Sequence, residues 1–295
     1  MALDFAALKK NRGSFTDLMK EVEKIAAPVQ DNQKDDRFWA PEVDKAGNGY
    51  AVIRFLPPPQ GEDLPWVRIW NHGFQGPTGK WYIENSLTTL GKPDPVSELN
   101  TQLWNSGIEA DKDQVRKQKR RLTYISNIYV VKDPNHPENE GKVFLFKYGK
   151  KIFDKIKDVM QPQFEDEEPV NPFDFWKGSN FKLKIRNVEG YRNYDKSEFD
   201  SSSTLSDDSD LEIIWKKQHS LQEFLDPKNF KSYDELKQKL DTVLNNTGTS
   251  SAVAKAEKVD MGNSLSTSKP KAPVQEIDYD DEESLSYFAK MANDD

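Results

Sequence analysis

The chain has 295 residues, 35% of them apolar and 31% charged, with a formal net charge of −8 and no cysteine. That length can bury the core of one large or two small domains, and the low apolar share fits an ordered body with polar ends. Without thiols, disulfides, thiolate metal centres and cysteine nucleophiles are excluded, and no apolar run approaches the roughly 18 residues of a membrane span.

The start, MALDFAALKK, carries Asp4 and no apolar h-region, so no signal peptide and a cytoplasmic protein are expected. Residues 1–33 read as a flexible basic arm and a helix. The arm, LKKNRGSF, holds Lys9, Lys10 and Arg12, and Ser14 or Thr16 caps the helix. Phe15, Leu18, Val22 and Ile25 then form one apolar stripe, docked on its own domain or on a neighbouring copy.

Residues 34–244 read as the core. Strands are predicted at 49–57, 66–74, 80–86, 122–134, 142–148 and 180–188, the second and third joined by the turn QGPTG. Helices are predicted at 150–160 and 232–244. Many short strands with few helices predict a mainly β fold with helical insertions, an OB-type barrel or a sandwich. Residues 245–275 have the composition of a linker. In the tail, 276–295, eight acids face Lys290 alone, so the tail holds −7 of the −8 and the body is close to neutral. Such a tail is expected to be disordered, with Leu285, Phe288 and Ala289 spaced for a short helix on a partner's groove.

No catalytic residue is predicted. GFQGPTGKW (73–81) departs from a phosphate-binding loop, because five residues separate Gly73 from Gly79 and Trp81 stands where Ser or Thr must hold magnesium. His72, His136 and His219 are far apart, and EDEE (165–168) and SDDSD (206–210) read as solvated loops.

What is present is a set of aromatics beside cations. RKQKRRLTY puts five cations, Arg116, Lys117, Lys119, Arg120 and Arg121, just ahead of Tyr124. Phe144, Phe146 and Tyr148 alternate near Lys147, Lys150 and Lys151; GYRNYDK supplies Tyr191, Arg192 and Tyr194; Trp104 lies in a polar stretch. Single-stranded nucleic acid suits this pattern. Its bases stack on rings for about 1–3 kcal/mol each, and its phosphates draw cations and release counterions. The competing readings are core packing for Phe144 and Phe146 and a solvated loop for 116–121. Against the loop stands the mutual repulsion of five cations with no acid inside the run.

Four stretches carry a resemblance: AGNGYAVIRFLP (46–57), NHGF with GKWYIEN (71–85), RRLTYISNIYVVKDPNHPENEGKVFLFKYGKKIFDKI (120–156) and GSNFKLKIRNVEGYRNYD (178–195). In content and order the chain resembles the single-stranded DNA-binding, or helix-destabilising, proteins of T4-like bacteriophages. The resemblance implies a non-enzymatic viral early protein whose OB-fold core coats single strands cooperatively in DNA replication, recombination and repair, in the host cytoplasm. It places Arg54, the basic run around Lys119–Arg121, Tyr124, Phe146, Tyr191 and Tyr194 at DNA-contacting positions, with Trp104 near an aromatic one. Phe146 stands for a tyrosine there, and Val115 replaces another, so one stacking platform is expected to be missing.

The resemblance also implies self-association through the arm (Lys9, Lys10, Arg12 and Ser14), with KRRLT (119–123) as a similar element. The tail residues Asp280, Asp281, Glu282, Glu283, Leu285 and Phe288 are implied to recruit DNA polymerase, helicase-loading, primase/helicase and recombinase proteins. They are also implied to compete with DNA, as a tethered polyanion at high effective concentration can. Binding to its own mRNA is implied as well, so an RNA-binding regulator stays open, as does an interaction scaffold that binds no nucleic acid. Family zinc is held by one His and three Cys. Here His72 matches the histidine, while Ser86 and, roughly, Val96 and Leu99 stand at the cysteines. Zinc is therefore predicted absent, with 86–100 stabilised by packing of Pro93, Pro95, Val96 and Leu99.

Overall fold

Apolar and β-branched runs, alternating in FKLKI and continuous in AVIRF, set the strands, and the computed structural model, which describes residues 35–164 and 166–244, joins them into one nine-stranded sheet. The strands are β1 (Phe38–Trp39), β2 (Gly49–Phe55), β3 (Val67–Gln75), β4 (Trp81–Asn85), β5 (Arg121–Lys132), β6 (Val143–Tyr148), β7 (Phe181–Val188), β8 (Tyr191–Asn193) and β9 (Glu198–Phe199). Five helices accompany them among the described residues: α1 (Pro95–Asn105), α2 (Glu109–Gln118), α3 (Lys150–Met160), α4 (Asp208–Lys216) and α5 (Tyr233–Leu244). The fold is therefore mixed, a sheet with helices between and after its strands.

The main path of the sheet is β1-β6-β5-β2-β7-β8, with β3 joining β5 to β4 and β9 lying against β7. Only β1 with β6 is parallel. β5 is the spine. Its first residues pair with β3 (Asn71 with Arg121, Val67 with Ile125) and its last with β2 (Phe55 with Ile128, Val52 with Lys132). Its other edge pairs with β6, Tyr124 opposite Tyr148. Between Val52 and Ile53 the pairing jumps from Lys132 to Val130, a bulge at Val131 that bends β5 along this route.

One face of the sheet encloses the main core: Ile53 and Phe55 of β2, Ile128 of β5, Phe146 of β6, and Phe181, Leu183 and Ile185 of β7. Ile152 and Ile156, one turn apart on α3, close it. Phe55 sits at its centre, with ring centroids of Tyr148, Phe173 and Phe181 at 5.5, 5.6 and 5.9 Å. A second core lies under β3 and β4, where Phe74, Tyr82, Leu87 and Val96 meet Leu236, Leu240 and Val243 of α5.

Three helices were not legible in the sequence: α1, α2 and α4. SDDSD, which reads as a loop, is the start of α4. Asp207 caps it by accepting from the Asp210 amide, and Asp208 and Asp210 lie in its first turn, where negative charge favours the helix dipole. The basic run 116–121 is likewise no loop: α2 contains it as far as Gln118, and β5 begins at Arg121.

Arg54 lies on the face of β2 opposite the main core and is 0% exposed. Its Nε donates to Asn180 Oδ1 (2.9 Å), Nη1 to the Asp174 carbonyl (3.3 Å), and Nη2 to the Ser203 carbonyl (3.0 Å) and hydroxyl (3.1 Å). Burial lowers its pKa and the charge of Asp174 opposes that, yet a guanidinium stays protonated. The residue ties the 174–203 segment to the sheet. A side chain at Gly178 would place Cβ 2.2 Å from the Asp174 carbonyl and 2.9 Å from Arg54 Nη1. Gly178→Ala should therefore destabilise the fold by about 1–3 kcal/mol, the usual cost of overpacking. Thermal unfolding followed by circular dichroism should show a Tm several degrees lower; an unchanged Tm would mean the segment can move aside.

Candidate nucleic-acid interface

The basic run is positioned by a buried polar knot. His72, on β3, is 1% exposed. Its Nδ1 donates to the carbonyl of Gln118 at 2.9 Å, and its Nε2 meets Asp94 Oδ1 at 3.2 Å. Asp94 is the N-cap of α1, and Oδ1 also accepts from the amides of Val96 and Ser97. Its Oδ2 accepts from the Ser86 hydroxyl (3.0 Å) and the Leu87 amide (3.2 Å). Burial acts to raise the pKa of Asp94, but the hydrogen bond and charge of His72, with the Ser97 amide and Ser86, bring it down to about 2. A carbonyl on one ring nitrogen and a carboxylate on the other engage both nitrogens of the buried ring with oxygen acceptors.

The Gln118 carbonyl also accepts from Asn100 Nδ2 at 3.3 Å. Two elements therefore hold the end of α2, and Lys119, Arg120 and Arg121 follow at once. From the same knot, the Ser86 amide donates to the Trp70 carbonyl at 2.8 Å, and Thr89 Oγ1 accepts from the Trp70 amide at 2.8 Å. The knot thus fixes both Trp70 and the start of β5, and there the guanidinium of Arg120 lies 4.2 Å from the Trp70 ring centroid.

The predicted residues sort by placement. Arg116 is taken up on its own helix by Glu109 (2.9 Å) and Asp113, and its hydrogen bonds to these two acids raise its pKa. The cation run does have acidic partners, then, supplied from upstream on α2. Lys117 is exposed at the end of α2, and Lys119, Arg120 and Arg121 are half-buried. Trp104, half-buried on α1, has Lys112 5.8 Å from its ring. Tyr124 is buried and stacks on Phe153 of α3 (centroids 4.0 Å, 7°) and on Tyr148 (5.6 Å, 15°). Phe146 is buried against Trp39 and Tyr148. Phe146 and Arg54 are thus placed inside the body, beneath the surface that a strand would meet.

Lys150, at the start of α3, pairs with Asp154 at 3.2 Å, and Lys151 follows it, half-buried. Tyr191 follows a two-residue turn in which Glu189 (φ 54°) and Gly190 (φ 88°) are both left-handed, the geometry of a tight hairpin. That turn leaves Tyr191 44% exposed and Arg192 half-buried, while Tyr194 rests on the edge of the main core. Lys155 of α3 donates to the Asp195 carbonyl at 3.2 Å, so the Tyr194 segment borders α3. The head of β5, α3 and the β7–β8 hairpin are therefore linked through one set of contacts. Sequence reading missed Trp66, Arg68, Trp70 and Phe153; the alternation of aromatic, cation and aromatic at 66, 68 and 70 was the available signal. The arm residues Lys9, Lys10, Arg12 and Ser14 and the tail residues Asp280, Asp281, Glu282, Glu283, Leu285 and Phe288 lie outside the described residues.

The donors around His72 do not fit zinc. Both ring nitrogens are engaged with protein oxygens, Ser86 offers a hydroxyl, and Val96 is buried among apolar side chains with Leu99 packed beside it. Among the described residues no three His, Cys, Asp or Glu side chains gather where a metal ion could be held. Of the prolines expected to pack in 86–100, Pro95 is buried and Pro93 is exposed. No helix among the described residues is long and apolar enough to cross a membrane.

Residues 47–244 match the family described as gp32 DNA binding protein like. Over 254 residues the chain is 38% identical to the single-stranded DNA-binding protein of Enterobacteria phage T2, spanning 84% of this chain and 83% of that protein. Identity to the protein of the same name from Enterobacteria phage T4 is 38% over 253 residues, again 84% of this chain and 83% of the other. A shorter match, 36% over 116 residues, is to the single-stranded DNA-binding protein of Enterobacteria phage RB70, covering 38% of this chain and 97% of that protein.

Asp94→Asn keeps the shape of the knot and removes its anion, leaving the imidazole beside a neutral amide. It should destabilise the protein by about 3–5 kcal/mol, as breaking a buried pair does. Because the Asp94 pKa is depressed, its ionic contribution is complete above the ordinary value near 3.8 and is lost as pH falls towards about 2. The Asn variant should accordingly show its deficit at neutral pH. A zinc chelator should leave the wild-type Tm unchanged; a fall in Tm on chelation would restore a metal to this site.

Proposed function

The chain belongs to the gp32 DNA binding protein-like family, and on that premise we propose that it binds and coats single-stranded DNA in viral replication, with extension to recombination and repair. The observation that carries this reading is the placement of Lys119 and Arg120 on the connection into β5 and of Arg121 at its first residue, with the Arg120 guanidinium over the half-buried Trp70 ring. Cations there meet phosphates in any sequence, and aromatic faces stack any base. Such a surface holds a strand without catalysis, and no enzymatic role is proposed.

Several finer features complete the proposal. The sheet is read as an OB-type core, and its contact residues as Trp104, Lys117, Lys119, Arg120, Arg121, Lys150, Lys151, Tyr191, Arg192 and Tyr194. Tyr124, Phe146, Arg54 and Arg116 are read as the frame beneath or beside them. The basic arm is proposed to link neighbouring copies along DNA and give cooperativity. The acidic tail is proposed to recruit polymerase, helicase-loading, primase/helicase and recombinase proteins in the host cytoplasm, and to compete with DNA when no strand is bound.

The test is a titration with fluorescein-labelled oligo-dT over a range of salt, with duplex DNA and a matched RNA alongside. Single-stranded DNA should bind best, and log K should fall with log salt by about 0.7 for each phosphate neutralised. Arg120→Ala with Arg121→Ala should weaken binding and lower that slope by about 1.4, two phosphate contacts' worth. An unchanged slope would remove these two residues from the interface, and tighter binding to RNA would favour the regulator reading. Removing residues 276–295 should leave strand binding intact or tighter. Loss of binding in that protein would end the competition model.

A further inference from the structure

We propose that Trp70 is a base-stacking platform for the bound strand, with Arg120 lying on its ring until a base takes its place. The inference rests on the single-strand reading above.

The geometry begins with the alternation of β3. Val67 and Ile69 turn to one face, where they join Ile125, Leu145 and Leu221 in a buried cluster. Trp66, Arg68 and Trp70 therefore share the other face. Directly opposite residues of paired strands lie on the same side, so Arg68 is beside Tyr124 and Trp70 beside Leu122. This is the side that carries Tyr124 into its stack with Phe153. The row of Trp66, Arg68 and Trp70 thus runs alongside the aromatic end of β5.

The three members differ in use. Trp66 is committed to the core, edge-on to Phe153 at 5.5 Å and tilted against Phe173 at 5.2 Å. Arg68 is exposed. Trp70 is half-buried, and its recorded ring contact is the Arg120 guanidinium at 4.2 Å. Its backbone is pinned by Ser86 and Thr89, so the ring is carried on a rigid strand and not on a loop.

A guanidinium on an indole and a base on an indole use the same π-face, and a base stack matches or exceeds a partly exposed guanidinium contact. Exchange therefore favours the base once a strand arrives. The displaced guanidinium stays on the same short connection between α2 and β5, where a phosphate next to the stacked base can take it. Arg120 on this view fills the platform in the free protein and grips the backbone in the complex. Arg68, one pleat away on the same face, supplies a second cation along the track.

The experiment compares full-length wild type, Trp70→Phe and Trp70→Ala, using labelled oligo-dT and an abasic strand of equal length and charge. Trp70→Ala should bind oligo-dT about tenfold more weakly, with its salt slope unchanged. Trp70→Phe should recover most of that loss, and on the abasic strand the three proteins should bind alike. In the Phe variant, tryptophan quenching by oligo-dT should be smaller than in wild type. An equal penalty on the abasic strand would make Trp70 a clamp for the basic run and overturn the platform. Quenching in Trp70→Phe equal to wild type would overturn it too, in a variant that keeps an aromatic ring at the position. If wild type itself fails to bind oligo-dT, the single-strand reading falls and the platform falls with it. Binding by wild type with no effect of either substitution overturns the platform alone.

Discussion

The contact between His72 and Asp94 is the constraint on which the rest of the surface depends. Taking an imidazole and a carboxylate out of water is costly unless every remaining lone pair and proton is matched. Here they are matched by backbone: the Gln118 carbonyl on one side, the amides of Leu87, Val96 and Ser97 on the other. Because His72, Asp94 and those partners belong to β3, the 86–94 connection, α1 and the end of α2, one hydrogen-bonded pair sets the relation of four segments. Apolar packing alone is non-directional and would hold the segments together without setting the angle of α2 or the residue at which β5 starts.

That angle matters because charge has to be delivered to a defined place. On α2, Arg116 and Lys112 are balanced by Glu109 and Asp113. Exposed pairs of this kind add little stability, but they keep a basic helix from repelling itself. Beyond Gln118 the cations continue towards the sheet, where Arg120 lies over the Trp70 ring. The same stretch of chain thus passes from a self-neutralised helix to a surface suited to an external polyanion.

The aromatic residues divide along the same line. Phe55, Phe146, Tyr148 and Phe181 pack edge-on, tilted and stacked in the main core, where their area removes water. Tyr124 and Phe153 stack on each other at its margin, and Trp70 and Tyr191 lie at the surface. Residue type alone does not make this division. Phe146 and Tyr191 both stand near cations in sequence, but only the hairpin turn at Glu189 and Gly190 exposes the second.

The sequence by itself determined six of the nine strands, through the period of two in FKLKI and the continuous apolar runs of AVIRFL and IYVV, which mark strands buried on both faces; β1, β8 and β9 were too short to read. It also determined α3, whose Ile152 and Ile156 repeat at one turn, and the family, through long stretches in a fixed order. It did not disclose α1, α2 or α4, because α2 has few apolar positions and the polar starts of α1 and α4 resemble solvated loops until Asp94 and Asp207 are seen as caps. Only the tertiary structure decided that Arg54 and Phe146 are inside, that Arg116 is balanced from upstream, and that Asp94 joins His72 to Ser86. The reason is physical. Periodicity is local and repeats along the chain, whereas a hydrogen-bonded knot or a cation on a ring joins residues such as Trp70 and Arg120, which the sequence separates and only strand pairing brings together.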